Sequence, residues 1–395
     1  MFSERFSERR KRGLRDPKNS GVLETSISVG HQVDFLKRVL EIYSPSGFED
    51  NISSFLAEEM EKIGFDRVWR NRVGNVYGEV GSGSPSILLC GHMDTVPGWI
   101  PVKIEDDKIY GRGAVDAKSS LSAMIMAAAG LKSSMSSGRI IVAGVVDEER
   151  GGRGIRSLLK EGLSFDCAIF GEPSGMKNIT FAYKGHIKLR VEFRTVTGHV
   201  GAQHLLPNAI EKCFEFWIKF KGICENKYRS PYGVFYSLTP SVVKISGKGS
   251  TNSVPDVCFM NLDIRLPPAI KCKKALEIIR EIIEEFRRDN LGLEIGFKIL
   301  GCVEPYVADR GNIVIRALSE AIREETGDEA KLMRKTGTGD MNILGARLKL
   351  PAATYGPGES GLSHTFNEYI SIQEYLTSIR IYMRAVEKIL RLSMH

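Results

Sequence analysis

Three short apolar runs constrain this chain most, because each ends abruptly in a polar cluster. Residues 86–90 (SILLC) lead into Gly91-His92-Met93-Asp94, residues 140–146 (IIVAGVV) into Asp147-Glu148-Glu149, and residues 167–170 into Gly171-Glu172-Pro173. Continuous apolar runs of this length, alternating with helical segments from His31 onward, fit strands buried on both faces of a largely parallel sheet. The fold class is therefore α/β. Open sheets of this kind bind ligands at the carboxyl ends of their strands, so His92, the Glu148-Glu149 pair and Glu172 are expected to converge on one site.

The pattern changes over residues 180–301. A strand at 187–193, a helix at 208–221, strands at 241–245 and 257–266, a helix at 273–288 and a strand at 293–300 follow in the order βαββαβ. That order predicts a ferredoxin-like unit inserted as a lid or dimerisation domain. The catalytic domain then comprises 31–179 and 302–395, with helices at 312–325 and 372–392. Residues 1–30 repeat Phe2-Ser3-Glu4-Arg5 as Phe6-Ser7-Glu8-Arg9 and hold seven Lys/Arg against four Asp/Glu, which supplies +3 of the net +7. This composition reads as a disordered basic extension, solvated rather than bound to nucleic acid. The other +4 is shared by the body and favours an acidic partner. No apolar run approaches the roughly 20 residues of a membrane span, so a cytoplasmic protein is expected. Seven cysteines without CxxC spacing predict reduced thiols rather than a disulfide framework.

The polar clusters contain metal-ligating residue types. His92 stands two residues before Asp94, a spacing that lets the carboxylate hold the imidazole tautomer. Asp116, in GRGAVDAK at 111–118, precedes a small-residue helix at 119–129 and is placed to cap it while facing the metals. Ser363-His364 brings a late imidazole. Each piece alone is ordinary, since a strand-end His is usually structural and an Asp before a helix is usually only a cap. Their joint occurrence in one order favours a centre for divalent ions of the zinc or cobalt type, which imidazole and carboxylate suit.

These motifs, GHMDTVP at 91–97, GRGAVDAK at 111–118, DEERGG at 147–152, GEPSG at 171–175 and YGPG with SHTFNEYI at 355–370, resemble the zinc-dependent aminoacylase and carboxypeptidase G family, which includes acetylornithine deacetylases and succinyl-diaminopimelate desuccinylases. The resemblance implies a two-metal exopeptidase-like domain. It makes Asp116 the bridge between two Zn2+ or Co2+ ions, His92 and Glu172 ligands of one, Glu149 and His364 ligands of the other, and Glu148 the general base, with Asp94 orienting His92. Within the lid, Thr197-Gly198-His199-Val200 resembles the segment that supplies a histidine to the oxyanion, often across a dimer interface; His199 is the choice and His204 the competitor. Asn252, Arg265, Gly337, Thr338 and Gly358 look like substrate-binding positions, Arg265 through a bidentate pair with a carboxylate. The run from Arg334 to Asn342 is most similar to hydrolases that release lysine or ornithine from an acidic amino-group carrier protein. Deacylation of acetyl-lysine, acetylornithine or succinyl-diaminopimelate is the alternative, and a non-catalytic scaffold of the same fold a further one.

Overall fold

The computed structural model describes residues 27–392, so most of the expected basic extension lies outside the described residues. The first helix begins earlier than His31: α1 (Val29–Glu41) starts behind Ser28, whose hydroxyl accepts the His31 N–H as an N-cap. There follow α2 (Asp50–Lys62), β1 (Arg67–Arg70), β2 (Val76–Ser82), β3 (Ser86–His92), β4 (Lys103–Glu105), β5 (Lys108–Tyr110), α3 (Lys118–Leu131), β6 (Gly138–Val145), α4 (Arg153–Leu158), β7 (Cys167–Gly171) and β8 (Asn178–Tyr183). The insertion consists of β9 (Gly185–Arg194), α5 (Ala209–Lys227), β10 (Thr239–Lys248), β11 (Val257–Leu266), α6 (Cys272–Asp289) and β12 (Glu294–Val303). The chain closes with β13 (Tyr306–Val307), α7 (Ile313–Thr326), β14 (Lys331–Lys335), α8 (Asp340–Leu348), β15 (Ala352–Tyr355), β16 (Tyr369–Ser371) and α9 (Ile372–Leu392).

The large sheet runs β1-β2-β6-β3-β7-β15-β8-β13, with β14 paired to β8. Its centre, β6-β3-β7-β15, is parallel. Every residue of β3 is buried, as a strand covered on both faces requires. After Lys118, helix α3 is apolar or small on all sides and every one of its residues is buried, so it packs as an internal layer against α9 and α1 instead of presenting one wet face. His92, Glu148-Glu149 and Glu172 emerge at the same carboxyl edge of adjacent strands.

The insertion forms a separate four-stranded antiparallel sheet, β10-β11-β9-β12, the strand order of a ferredoxin-like unit. It runs from Gly185 to Val303, and β8, which the expected 180–301 boundary cuts through, belongs wholly to the large sheet. Along β9 the side chains alternate: Ile187, Leu189, Val191 and Phe193 are buried in a core shared with α5 and α6, while Lys188 and Arg190 are exposed on the opposite face. No helix among the described residues is long and apolar enough to cross a membrane.

The expectation of reduced thiols is wrong at one place, where Cys272 and Cys302 form a disulfide. Cys272 opens α6 and Cys302 lies near the end of β12, two elements that pack together although their sequence separation is 30 residues, so spacing alone gives no sign of the pair. The other cysteines of the chain are free and buried. Closing a loop of this length removes denatured-state entropy worth about 3–4 kcal/mol in the chain-entropy model. Cys302→Ser is expected to lower unfolding stability by that amount, measured by urea denaturation, and added dithiothreitol to destabilise the parent chain equally but not the variant.

Candidate metal centre

Two groups of side chains able to hold a metal ion meet at the carboxyl edge of the sheet, one of His92, Asp116 and Glu172 and one of Asp116, Glu149 and His364. Asp116 is common to both. One carboxylate oxygen, Oδ1, is 3.3 Å from His92 Nε2, and the other, Oδ2, is 3.4 Å from His364 Nε2. Glu172 Oε1 lies 3.7 Å from His92 Nε2 on the first side, and Glu149 Oε1 lies 2.9 Å from His364 Nε2 on the second. All five sequence-predicted ligands are thus brought together, with one carboxylate turned towards two imidazoles.

The support beneath them differs from expectation in two respects. His92 Nδ1 donates to the backbone carbonyl of Asp94 at 2.9 Å, which leaves Nε2 free to ligate, whereas the Asp94 carboxylate stands farther off at 3.7 Å. That carboxylate accepts instead from Glu148 N–H at 3.0 Å, Glu149 N–H at 3.1 Å and Ser46 Oγ at 2.6 Å. Asp94 therefore fixes the turn that aims the two glutamates. Asp116 is no helix cap: α3 begins at Lys118 behind Ala117 without a side-chain cap, and the Asp116 carboxylate is engaged by the histidines.

Electrostatics favours cations here. Burial and then the charge of Asp116 raise Glu172 to about 8, burial and Glu172 push Glu148 well above the usual range, and burial raises Asp340 to about 7. Burial likewise opposes ionisation of Asp116, but hydrogen bonds from His364 and His92 outweigh it and hold Asp116 below the ordinary value. His364 is raised to about 10 by the hydrogen bonds to Asp116 and Glu149. Carboxylates crowded so closely repel one another unless positive charge lies among them, and a bound cation would supply it. The donor set of imidazole nitrogens and carboxylate oxygens fits divalent metal.

A cavity of about 540 Å³ opens beside Glu148 and Glu149, between the large sheet and the open face of the small one. Arg265, Gly337 and Thr338 line it as anticipated. Arg265 also donates to Asp263 Oδ2 at 3.2 Å, which fixes its direction. Lys188 of β9 and Arg156 of α4 complete a cationic wall that the motifs did not single out, and His186, which burial lowers to about 4, stands beside them as a neutral imidazole, although period-two alternation along β9 puts His186 and Lys188 on its open face. His186 Nδ1 is 3.1 Å from Thr338 Oγ1, joining strand β9 of the insertion to the loop between β14 and α8. His199, His204 and Asn252 are exposed at the opposite end of β9 and do not line this cavity. Gly358 is also absent from its wall; its N–H donates to Glu374 Oε1 at 2.8 Å.

A protein of Sulfurisphaera tokodaii named LysW-lysine/LysW-ornithine hydrolase is 33% identical over 370 residues, covering 93% of this chain and 98% of the relative. A Pyrococcus furiosus protein provisionally given the same name is 37% identical over 368 residues, covering 91% and 98%. Among solved structures, a tripeptidase of Staphylococcus aureus superposes with a TM-score of 0.79 at 20% identity, covering 92% of this chain and 99% of that one. The M20 family metallo-carboxypeptidase Sso-CP2 of Sulfolobus solfataricus gives 0.75 at 20%, covering 91% and 99%. The model of peptidase family M20/M25/M40 matches residues 88–388, a span that holds all five side chains of the two groups described above, and the chain belongs to that family.

Proposed function

We propose that this chain is a two-metal amidohydrolase that releases L-lysine, L-ornithine or both from the γ-glutamyl terminus of an acidic amino-group carrier protein. The observation that carries the chemistry is Asp116, whose two oxygens face two imidazoles beside a glutamate that belongs to neither ligand group. Zinc or cobalt ions held by His92, Asp116 and Glu172 and by Asp116, Glu149 and His364 supply polarisation of the scissile carbonyl and acidification of water. Glu148 takes the proton from the attacking water and returns it to the leaving amine. Its backbone is held by Asp94, so its carboxylate can act without serving as a ligand.

The substrate class is supported by the names of the relatives and by the cavity wall. The terminal glutamate and the released amino acid each carry a carboxylate close to the scissile amide, and Arg156, Lys188 and Arg265 offer cations on that wall. Exposed Arg150 and Arg153 extend the positive surface outward from the turn that bears Glu148, which suits an acidic protein. The exposed position of His199 favours a homodimer, in which a second copy brings this donor to the oxyanion. The outer face of α5 carries exposed Phe214 and Ile218, and the edge strand β10 carries Val243 and Ile245, an apolar surface suited to pairing two insertions.

The test is release of free amino acid by enzyme loaded with zinc or cobalt. Carrier-linked lysine, carrier-linked ornithine, acetyl-lysine, acetylornithine and succinyl-diaminopimelate are offered in parallel. Metal-dependent release from the carrier-linked substrates is expected to exceed release from the small ones. Preference for a small acyl amino acid rejects the carrier reading and leaves the two-metal chemistry standing.

A further inference from the structure

Glu368 is buried, with only 1% of its surface exposed, and it lies under the loop that presents Asp116. Its Oε1 accepts three backbone N–H groups, from Gly113 at 3.1 Å, Val115 at 2.9 Å and Asp116 at 3.0 Å. Its Oε2 accepts from Arg112 Nη1 at 3.0 Å, and Arg112 is 3% exposed. Arg112 in turn donates from Nη1 to the Thr365 carbonyl at 2.9 Å and from Nε to the Gly98 carbonyl at 2.9 Å. The Gly111 N–H donates back to the Glu368 carbonyl at 3.2 Å. One ion pair thus ties the segment carrying Asp116 to the segment carrying His364.

Stability is a weak reason for such a pair, because a buried ion pair is often no better than apolar residues of the same volume. Geometry is a stronger one. His364 adopts a left-handed backbone with φ +66°, sparsely populated for a residue with a side chain, and the Arg112 bond to the next residue's carbonyl helps to hold it there. The Asp116 carboxylate points at both histidines while its own N–H is pinned by Glu368. Neither residue of the pair belongs to the ligand groups.

We infer that the buried Arg112–Glu368 pair is a positioning unit for the metal centre, setting Asp116 against His364. Its effect falls mainly on the ion held by Asp116, Glu149 and His364. The other ion also has His92 and Glu172, which stand on β3 and just beyond β7 and owe nothing to Arg112 or Glu368. This inference rests on the reading of the two groups as metal sites.

The experiment titrates Co2+ into the chelator-stripped full-length chain, by calorimetry and by visible absorption, for the parent, Glu368→Ala, Glu368→Gln and Arg112→Lys. Thermal unfolding of each metal-free form is recorded alongside. The parent is expected to bind two equivalents. In Glu368→Ala the first keeps its affinity while the second weakens about 10- to 100-fold, the usual cost of losing support behind a ligand, and its visible spectrum changes. Glu368→Gln falls between, because its amide oxygen still accepts the three N–H groups but carries no charge for Arg112. If the variants melt earlier yet bind both equivalents with parental affinity and spectrum, the pair is merely structural and the inference is overturned. Should the alanine variant not fold, unchanged second-ion affinity in both Glu368→Gln and Arg112→Lys overturns it equally. A parent chain that binds no Co2+ rejects the metal reading itself, and the positioning role with it.

Discussion

Glu148→Gln is expected to lower kcat by about 10²- to 10⁴-fold, the range for loss of a positioned general base, while both metal equivalents stay bound. The amide fills the same volume and can still hydrogen-bond, but it cannot take a proton from water. The Glu148 backbone N–H is fixed by Asp94 Oδ1, and the side chain stands outside both ligand groups, so the change leaves the ligand geometry alone. Burial and the neighbouring Glu172 push the Glu148 carboxylate up, and cations among the ligands act against that rise. The measurement is kcat on carrier-linked lysine together with metal content by elemental analysis. Asp340 is the rival, being buried, raised to about 7 and the first residue of α8, next to Gly339, which faces Glu148 and Glu172. If Glu148→Gln retains activity within about tenfold, well short of that range, and Asp340→Asn does not, the base has been misassigned.

Much of the architecture, and the convergence of the five candidate ligand side chains, were legible because they follow from local pattern. A parallel strand buried on both faces must be continuously apolar and must end where the chain turns to solvent, so β3, β6 and β7 announce both themselves and the polar residues they deliver. The ferredoxin-like insertion was readable for the same reason, its elements alternating between clear two-residue and 3.6-residue periods. What stayed hidden depends on atoms and on distance along the chain. An HxD spacing places Asp94 near His92, yet only the folded turn decides that its carbonyl takes the imidazole while its carboxylate takes the Glu148 and Glu149 amides. Glu368 lies 252 residues from the Asp116 amide it binds, and no spacing rule reaches that far. The Cys272–Cys302 bond was missed likewise, because α6 and β12 are neighbours only in three dimensions. His186 and Lys188 were accessible to alternation along β9, but alternation does not say that the open face of that sheet looks onto the site.

Replacement of Asp116 is expected to have the largest effect, because it removes a ligand from both groups at once. The Asp116→Ala chain keeps two neutral or anionic donors for each ion but no shared carboxylate, so the two ions lose the contact that holds them side by side. Loss of correctly placed metal forfeits several kcal/mol of transition-state stabilisation, which corresponds to a fall in kcat/KM of about 10³-fold or more. Asp116→Asn separates charge from shape. Its amide presents one oxygen and one nitrogen, and a protonated amide nitrogen does not ligate, so whichever histidine faces the nitrogen loses its partner. Co2+ titration is therefore expected to show one tight equivalent in the asparagine chain, with activity close to that of the alanine chain. Two tight equivalents and near-parental turnover in Asp116→Asn would mean that the carboxylate only bonds to the two histidines and bridges nothing. The ligand groups would then have to be redrawn around Glu149 and Glu172, the remaining carboxylates of the centre.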